Sequence, residues 1–200
     1  TLVKLLLGYF APTSGNIFLG DTPLQDYDMT SWRHSCGVVL QDSHVFSESL
    51  ARNIAVEDKH IDRTRLRTAA RQANLEEFIE KLPLKYQTMV GAEGVGLSRG
   101  QEQRIFIARA LYKDPSFVFL DEATNSLDAN NERIITGNLL DFCKGRTVLI
   151  VAHRLSTIRH ADKIVVLHKG RIVEEGTHDE LCARHGHYYE LINNQLIAMG

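Results

Sequence analysis

The sequence predicts an α/β protein in which a mainly parallel sheet is flanked by helices and interrupted by an inserted block of helices. Three short, unbroken apolar runs carry the first half of that reading: Val38-Val39-Leu40, Phe117-Val118-Phe119-Leu120 and Thr147 to Val151. Strands buried on both faces of a parallel sheet have this texture, whereas a half-solvated strand alternates. Between the first two runs the pattern changes to apolar residues three to four apart, at Leu50, Ile54, Ile61, Leu66, Ala69, Ala70, Leu75, Phe78, Ile79 and Leu82 among charges, which is the stripe of amphipathic helices. Each apolar run also leads to polar residues: Gln41, Asp121-Glu122 and, after Ala152, His153. Parallel strands would gather these ends on one edge of the sheet, where open α/β sheets bind their ligands.

Taken in order, Thr1 to Gly8 read as a buried helix stopped by its glycine. Pro12-Thr13-Ser14-Gly15 is a turn, and Asn16 to Gly20 and Thr22 to Leu24 are short strands bracketing Asp21. The helical block runs from Phe46 to Leu97 and is expected to form a subdomain inserted in the larger domain, residues 1–200. Ser98 precedes Gln101 at capping-box spacing, and Ile105, Ala108 and Leu111 follow at helical spacing, so Ser98 is expected to cap a helix. A helix N-terminus with a serine and a flanking glycine favours anions. Lys163 to Leu167 and Arg171 to Glu175 form a hairpin around His168-Lys169-Gly170, and helical residues continue from His178. Tyr188, Tyr189, Leu191 and Ile192 are expected to pack in the last helix.

Bulk properties narrow the function classes. A chain of 200 residues with 44% hydrophobic content can bury a core, and a net charge of -2 gives no basic footprint for nucleic acid. Cys36, Cys143 and Cys182 are odd in number and scattered, which fits a reducing compartment better than a disulfide framework. His178, Cys182, His185 and His187 match no standard zinc spacing. No signal peptide opens the sequence, and no apolar stretch approaches the ~20 residues that span a bilayer, so membrane association would run through another segment or subunit.

Leu97-Ser98-Arg99-Gly100-Gln101, then Phe117-Val118-Phe119-Leu120-Asp121-Glu122, then Ser126-Leu127-Asp128 occur in sequence order. Together they resemble the signature motif, the Walker B strand and the D-loop of the ATP-binding-cassette family, and Gln41 and His153 match its Q-loop and H-switch positions. The resemblance implies a P-loop NTPase-like fold. It also implies that Asp121 holds Mg2+ through water, that Glu122 polarises the attacking water, that Gln41 senses metal and γ-phosphate, and that His153 contacts that phosphate. Ser98, Arg99, Gly100 and Gln101 would face ATP held by a second nucleotide-binding domain, and Asp128 would connect the two sites. Thr1-Leu2 match the end of the family's G-K-S-T-L segment, yet no Gly-Lys pair occurs in the chain. The reading therefore expects a domain truncated after its Walker A motif, inert in isolation.

Gln41-Asp42 leading to Phe46 and Asn53-Ile54, the approach Tyr86 to Gly96, and Glu175-Gly176-Thr177-His178-Asp179-Glu180-Leu181 resemble exporters. The implied whole is an ATP-hydrolysing exporter, dimeric through its nucleotide-binding domains, with a transmembrane domain fused upstream and this domain on the cytoplasmic face. A soluble cassette ATPase unconnected to transport is the alternative. Arg99 stands where the signature usually has glycine, Glu102 replaces an arginine, and Ala92-Glu93 displace the expected glutamate.

Overall fold

In the computed structural model, the first element is helix α1 (Leu2–Leu6), which buries Val3 and is closed by the buried C-cap Leu7 before Gly8. A φ of +67° favours glycine there, and a Cβ would also push against the Met29 side chain, 2.6 Å from Sδ. The structure describes residues 1–56, 58–152 and 158–198. Strands β1 (Phe18–Leu19) and β2 (Thr22–Pro23) pair antiparallel about Gly20-Asp21. The second strand is shorter than expected, because the Leu24 N–H turns back to the Ile17 carbonyl at 2.7 Å and Leu24 opens a short 3₁₀ turn. Helix α2 (Met29–His34) is capped by Asp28, whose carboxylate accepts from Ser31 N–H at 2.7 Å.

Strand β3 (Cys36–Val39) follows. Leu40, expected to belong to it, is excluded because its N–H turns to Ser43 Oγ at 3.2 Å. Strand β4 (Glu48–Ser49) leads into α3 (Leu50–Ile54), α4 (Arg63–Gln72) and α5 (Glu76–Glu80), and β5 (Met89–Val90) returns to pair with β4. Helices α3 and α4 pack against α6 (Arg99–Lys113), whose Ile105, Ile107 and Ala108 are fully buried. After α6 come β6 (Phe117–Asp121), α7 (Ala129–Cys143) and β7 (Thr147–Val151).

Strands β3, β6 and β7 form one sheet in that order, and β3 and β6 run parallel with Cys36 opposite Phe117 and Val39 opposite Leu120. This register brings the carboxyl ends of β3 and β6 level, so that Leu40-Gln41 and Asp121-Glu122 emerge side by side. Val118, Phe119 and Leu120 are buried, as the unbroken apolar run requires. β7 is half-buried rather than buried, as befits a terminal strand in the sheet order.

Thr1–Leu149 form one compact unit and Ile150–Gly200 a second. In the second, β8 (Ile164–His168) and β9 (Arg171–Gly176) make an antiparallel hairpin. Its turn is two residues rather than three, since Lys169 and Gly170 both take left-handed φ, 48° and 76°, and His168 stays in the strand. Helices α8 (His178–Ala183) and α9 (His187–Ala198) follow. Ile164, Val166, Leu181, Tyr188 and Ile192 build this unit's core. Leu191, expected to pack, is 57% exposed, because the inward stripe of α9 passes through Tyr188 and Ile192, four residues apart.

Candidate functional site

The site begins with backbone geometry at the end of β6. Asp121 closes the strand, and Glu122 takes φ +52°, a left-handed conformation that costs a non-glycine residue free energy. Its surroundings are specific. The Glu122 carbonyl accepts from Asn125 N–H at 3.2 Å and from Gln103 Nε2 at 2.9 Å. Its carboxylate Oε2 accepts from Gln41 Nε2 at 3.2 Å and from Asn125 Nδ2 at 2.6 Å. Gln41 and Glu122 are 81 residues apart in the chain. They meet because Val39 and Leu120 are register partners.

Asp121 and Asp42 share this edge with a cation. Lys4 Nζ donates to Asp42 Oδ2 at 2.6 Å. This hydrogen bond is the main cause that raises the Lys4 pKa, and Asp121 adds a smaller electrostatic contribution in the same direction. The same bond holds the Asp42 carboxyl below the ordinary carboxylate range. Such an exposed pair adds little stability. It does set a positive charge from α1 beside the acidic end of β6.

The second half of the site is the N-terminus of α6. Ser98 Oγ accepts from Gln101 N–H at 3.2 Å and Gln101 Oε1 accepts from Ser98 N–H at 2.8 Å, a complete capping box. The Gln101 side chain is thus engaged in capping, while Ser98 and Arg99 are exposed. Gly100 lies against the loop after β6, where an added Cβ would stand 3.2 Å from the Ser126 carbonyl. Arg104 donates to the Gly100 carbonyl at 3.3 Å and the Asn74 carbonyl at 2.6 Å, with its pKa lowered by burial against the opposing pull of Asp128. Asp128 caps α7 by accepting from Asn131 N–H at 3.0 Å, the bond that keeps its carboxyl below the usual range.

Of the residues expected from the sequence, the structure therefore joins Gln41 to Glu122 beside Asp121, and sets Ser98, Arg99, Gly100 and Gln101 on a helix packed against the same loop. Asp128 stands at the far end of that loop. Thr1 precedes α1 without a side-chain cap bond, and His153 lies outside the described residues. Asn125, Gln103 and Lys4 were not anticipated. Asn125, three residues after Glu122, carried a faint signal as an Asx residue in a turn. Gln103 and Lys4 carried none, since each acts by reaching another element.

The oxygen donors at this edge fit a magnesium ion. Mg2+ takes one or two protein oxygens and completes its shell with water and phosphate. The Asp121 carboxylate and the Gln41 amide oxygen are donors of that kind. Among the described residues no group of three or more His, Cys, Asp or Glu side chains could hold a metal ion. His178 instead bonds Tyr188 Oη at 2.8 Å.

Known proteins resemble the chain along most of its length. The family model described as ABC transporter matches residues 1–125. The chain is 46% identical over 191 residues to an ATP-dependent lipid A-core flippase of Chromohalobacter salexigens, covering 96% of this chain and 33% of that protein. It is 45% identical over 183 residues to the toxin RTX-I translocation ATP-binding protein of Actinobacillus pleuropneumoniae, covering 92% of this chain and 26% of that protein. A solved bacterial Atm1-family ABC exporter with ATP bound superposes with a TM-score of 0.93 at 37% identity, over 98% of this chain and 34% of that one. The chain thus spans about a third or less of the length of the relatives it matches.

Proposed function

The chain belongs to the ABC transporter family, and from that premise we propose that it is part of the nucleotide-binding domain of an exporter, hydrolysing ATP to move a substrate across a membrane. One observation carries the reading furthest: the Gln41 amide and the Glu122 carboxylate meet at 3.2 Å on the carboxyl edge of a parallel strand pair. Hydrolysis needs a group that orients and deprotonates water, and donors for the charge on the transferred phosphoryl group. Glu122 takes the first role, its carboxylate aimed by Gln41 and Asn125. Asp121 and the Gln41 carbonyl oxygen would hold Mg2+, which neutralises phosphate charge when bound. His153 is assigned to the γ-phosphate, since imidazole can donate to phosphate and exchange protons near neutrality.

The α6 terminus, with Ser98 exposed at its tip and Gly100 in its first turn, presents donors and a helix dipole to an anion. In this reading it serves ATP held by a second copy or a homologous domain, and Asp128 joins the two sites. Tyr9, Phe10, Phe46 and Val56 expose apolar surface that suits a membrane-domain partner. No helix among the described residues is long and apolar enough to cross a membrane. A transmembrane domain on the same polypeptide, holding this domain at the cytoplasmic face, completes the proposal.

The trans assignment is tested with full-length dimers assembled from two differently tagged copies. With Glu122→Gln in one copy and Ser98→Glu in the other, both lesions fall on one composite site, and about half the ATPase activity is expected to remain. With both changes in one copy, each site carries a lesion and activity is expected to vanish. The opposite pair of results would overturn the assignment.

A further inference from the structure

Gln103 is a half-buried polar residue just before the buried stretch of α6 that starts at Ile105, and both ends of its amide are used on one short loop. Its Nε2 donates to the Glu122 carbonyl at 2.9 Å, and its Oε1 accepts from Ser126 N–H at 2.8 Å. The loop between these two points contains the left-handed residue Glu122 and Asn125, whose Nδ2 touches the Glu122 carboxylate. Gly100 lies three residues earlier on α6, hence on the same helix face, and its missing side chain lets the Ser126 carbonyl approach to where a Cβ would stand only 3.2 Å away. Two contacts one turn apart thus fasten this loop to the first turns of α6. The same turns carry Ser98.

We infer that Gln103 is a positioning residue, a strut that fixes the backbone of Glu122 against the helix bearing Ser98, and so links the water-activating carboxylate of one nucleotide site to the phosphate-binding serine of the other. The inference rests on the reading of Glu122 and Ser98 given above. Its physical basis is the φ of +52° at Glu122: that backbone is unfavourable for a side-chain-bearing residue and is retained because its carbonyl and carboxylate are both held. Without Gln103 the carbonyl keeps only the longer bond from Asn125 N–H at 3.2 Å, and the peptide relaxes toward ordinary φ, which swings the carboxylate away from the attacking position. Ground-state nucleotide contacts made elsewhere would be untouched. Loss of Gln103 therefore reduces kcat and leaves ATP affinity in place.

The test uses the full-length protein in lipid nanodiscs with two variants. Gln103→Leu removes both bonds at similar size. Gln103→Glu keeps an acceptor for Ser126 N–H but cannot donate to the Glu122 carbonyl. Both are expected to lower kcat about tenfold, the effect of one well-placed hydrogen bond lost in the transition state, with KM for ATP and the melting temperature near wild type. In a Glu122→Gln background, Gln103→Leu is expected to cause no further loss, because the two residues act as a unit. An unchanged kcat, or the same tenfold loss in both backgrounds, would overturn the inference. Unfolding of both variants would assign Gln103 to the fold and overturn it equally. If Glu122→Gln itself hydrolyses ATP normally, the reading of Glu122 has failed, a result visible without reference to Gln103.

Discussion

Replacing Asn53 by alanine should destabilise the domain by about 3 kcal/mol, and the magnitude follows from its contacts. Asn53 is completely buried on α3. Its Oδ1 accepts from Phe46 N–H at 2.8 Å, and its Nδ2 faces the carbonyls of Phe46, Glu48 and Ser49 at 3.0, 3.3 and 3.2 Å. One side chain therefore closes the loop that leads from Gln41 into the helices. Alanine leaves the Phe46 N–H without that acceptor, a cost of about 1 to 3 kcal/mol, and loosens carbonyls that lose their donor, at about 1 kcal/mol more. The Phe46 carbonyl is partly protected, since it also accepts from Glu48 N–H at 2.8 Å. The sum, about 3 kcal/mol, corresponds to a fall of roughly 6 to 12 °C for a domain of this size. Differential scanning fluorimetry of the full-length protein, following the transition of this domain, measures it. Asn53→Asp should be at least as damaging, because it sets a carboxylate against three carbonyls. A shift below about 2 °C for alanine, or tolerance of aspartate, would refute the reasoning.

Burial raises the Cys36 thiol to about 11 from an ordinary 9.0. A raised acid contributes stability that is present below its unfolded pKa and lost as pH climbs through its folded one, so the urea midpoint should fall between about pH 9 and 11 more steeply in wild type than in Cys36→Ala; parallel curves would contradict this. Ser98→Ala removes the α6 cap and should cost about 1 kcal/mol in urea denaturation, whereas a stability equal to wild type would show that the capping box contributes nothing.

Much of the site was legible because its signals are local. Ser98 and Gln101 announce a capping box by spacing alone, and the run Phe117 to Leu120 announces a buried parallel strand by the absence of alternation. The meeting of Gln41 with Glu122 was legible only as a consequence: once two apolar strands are parallel, their polar ends share an edge. What escaped depends on reach. Gln103 looks like any helical glutamine until its amide is seen bridging Glu122 and Ser126, and Lys4 acquires a role only when α1 lies beside Asp42. The left-handed backbone of Glu122 has no sequence signature, since glutamate is not a residue that favours it. Leu40 and Leu191 depart from expectation for the converse reason: apolar character alone does not decide where a residue packs, since Ser43 turns one aside and helix phase turns the other outward.

In the proposed reaction Glu122 activates the water that cleaves ATP. The most direct measurement compares ATP binding and steady-state turnover in the full-length protein carrying Glu122→Gln, which keeps the shape and the contact to Gln41 but removes the base. Binding is expected to match wild type while turnover falls by at least ~10²-fold, the lower range for loss of a general base. Near-normal hydrolysis by the glutamine variant would contradict the account.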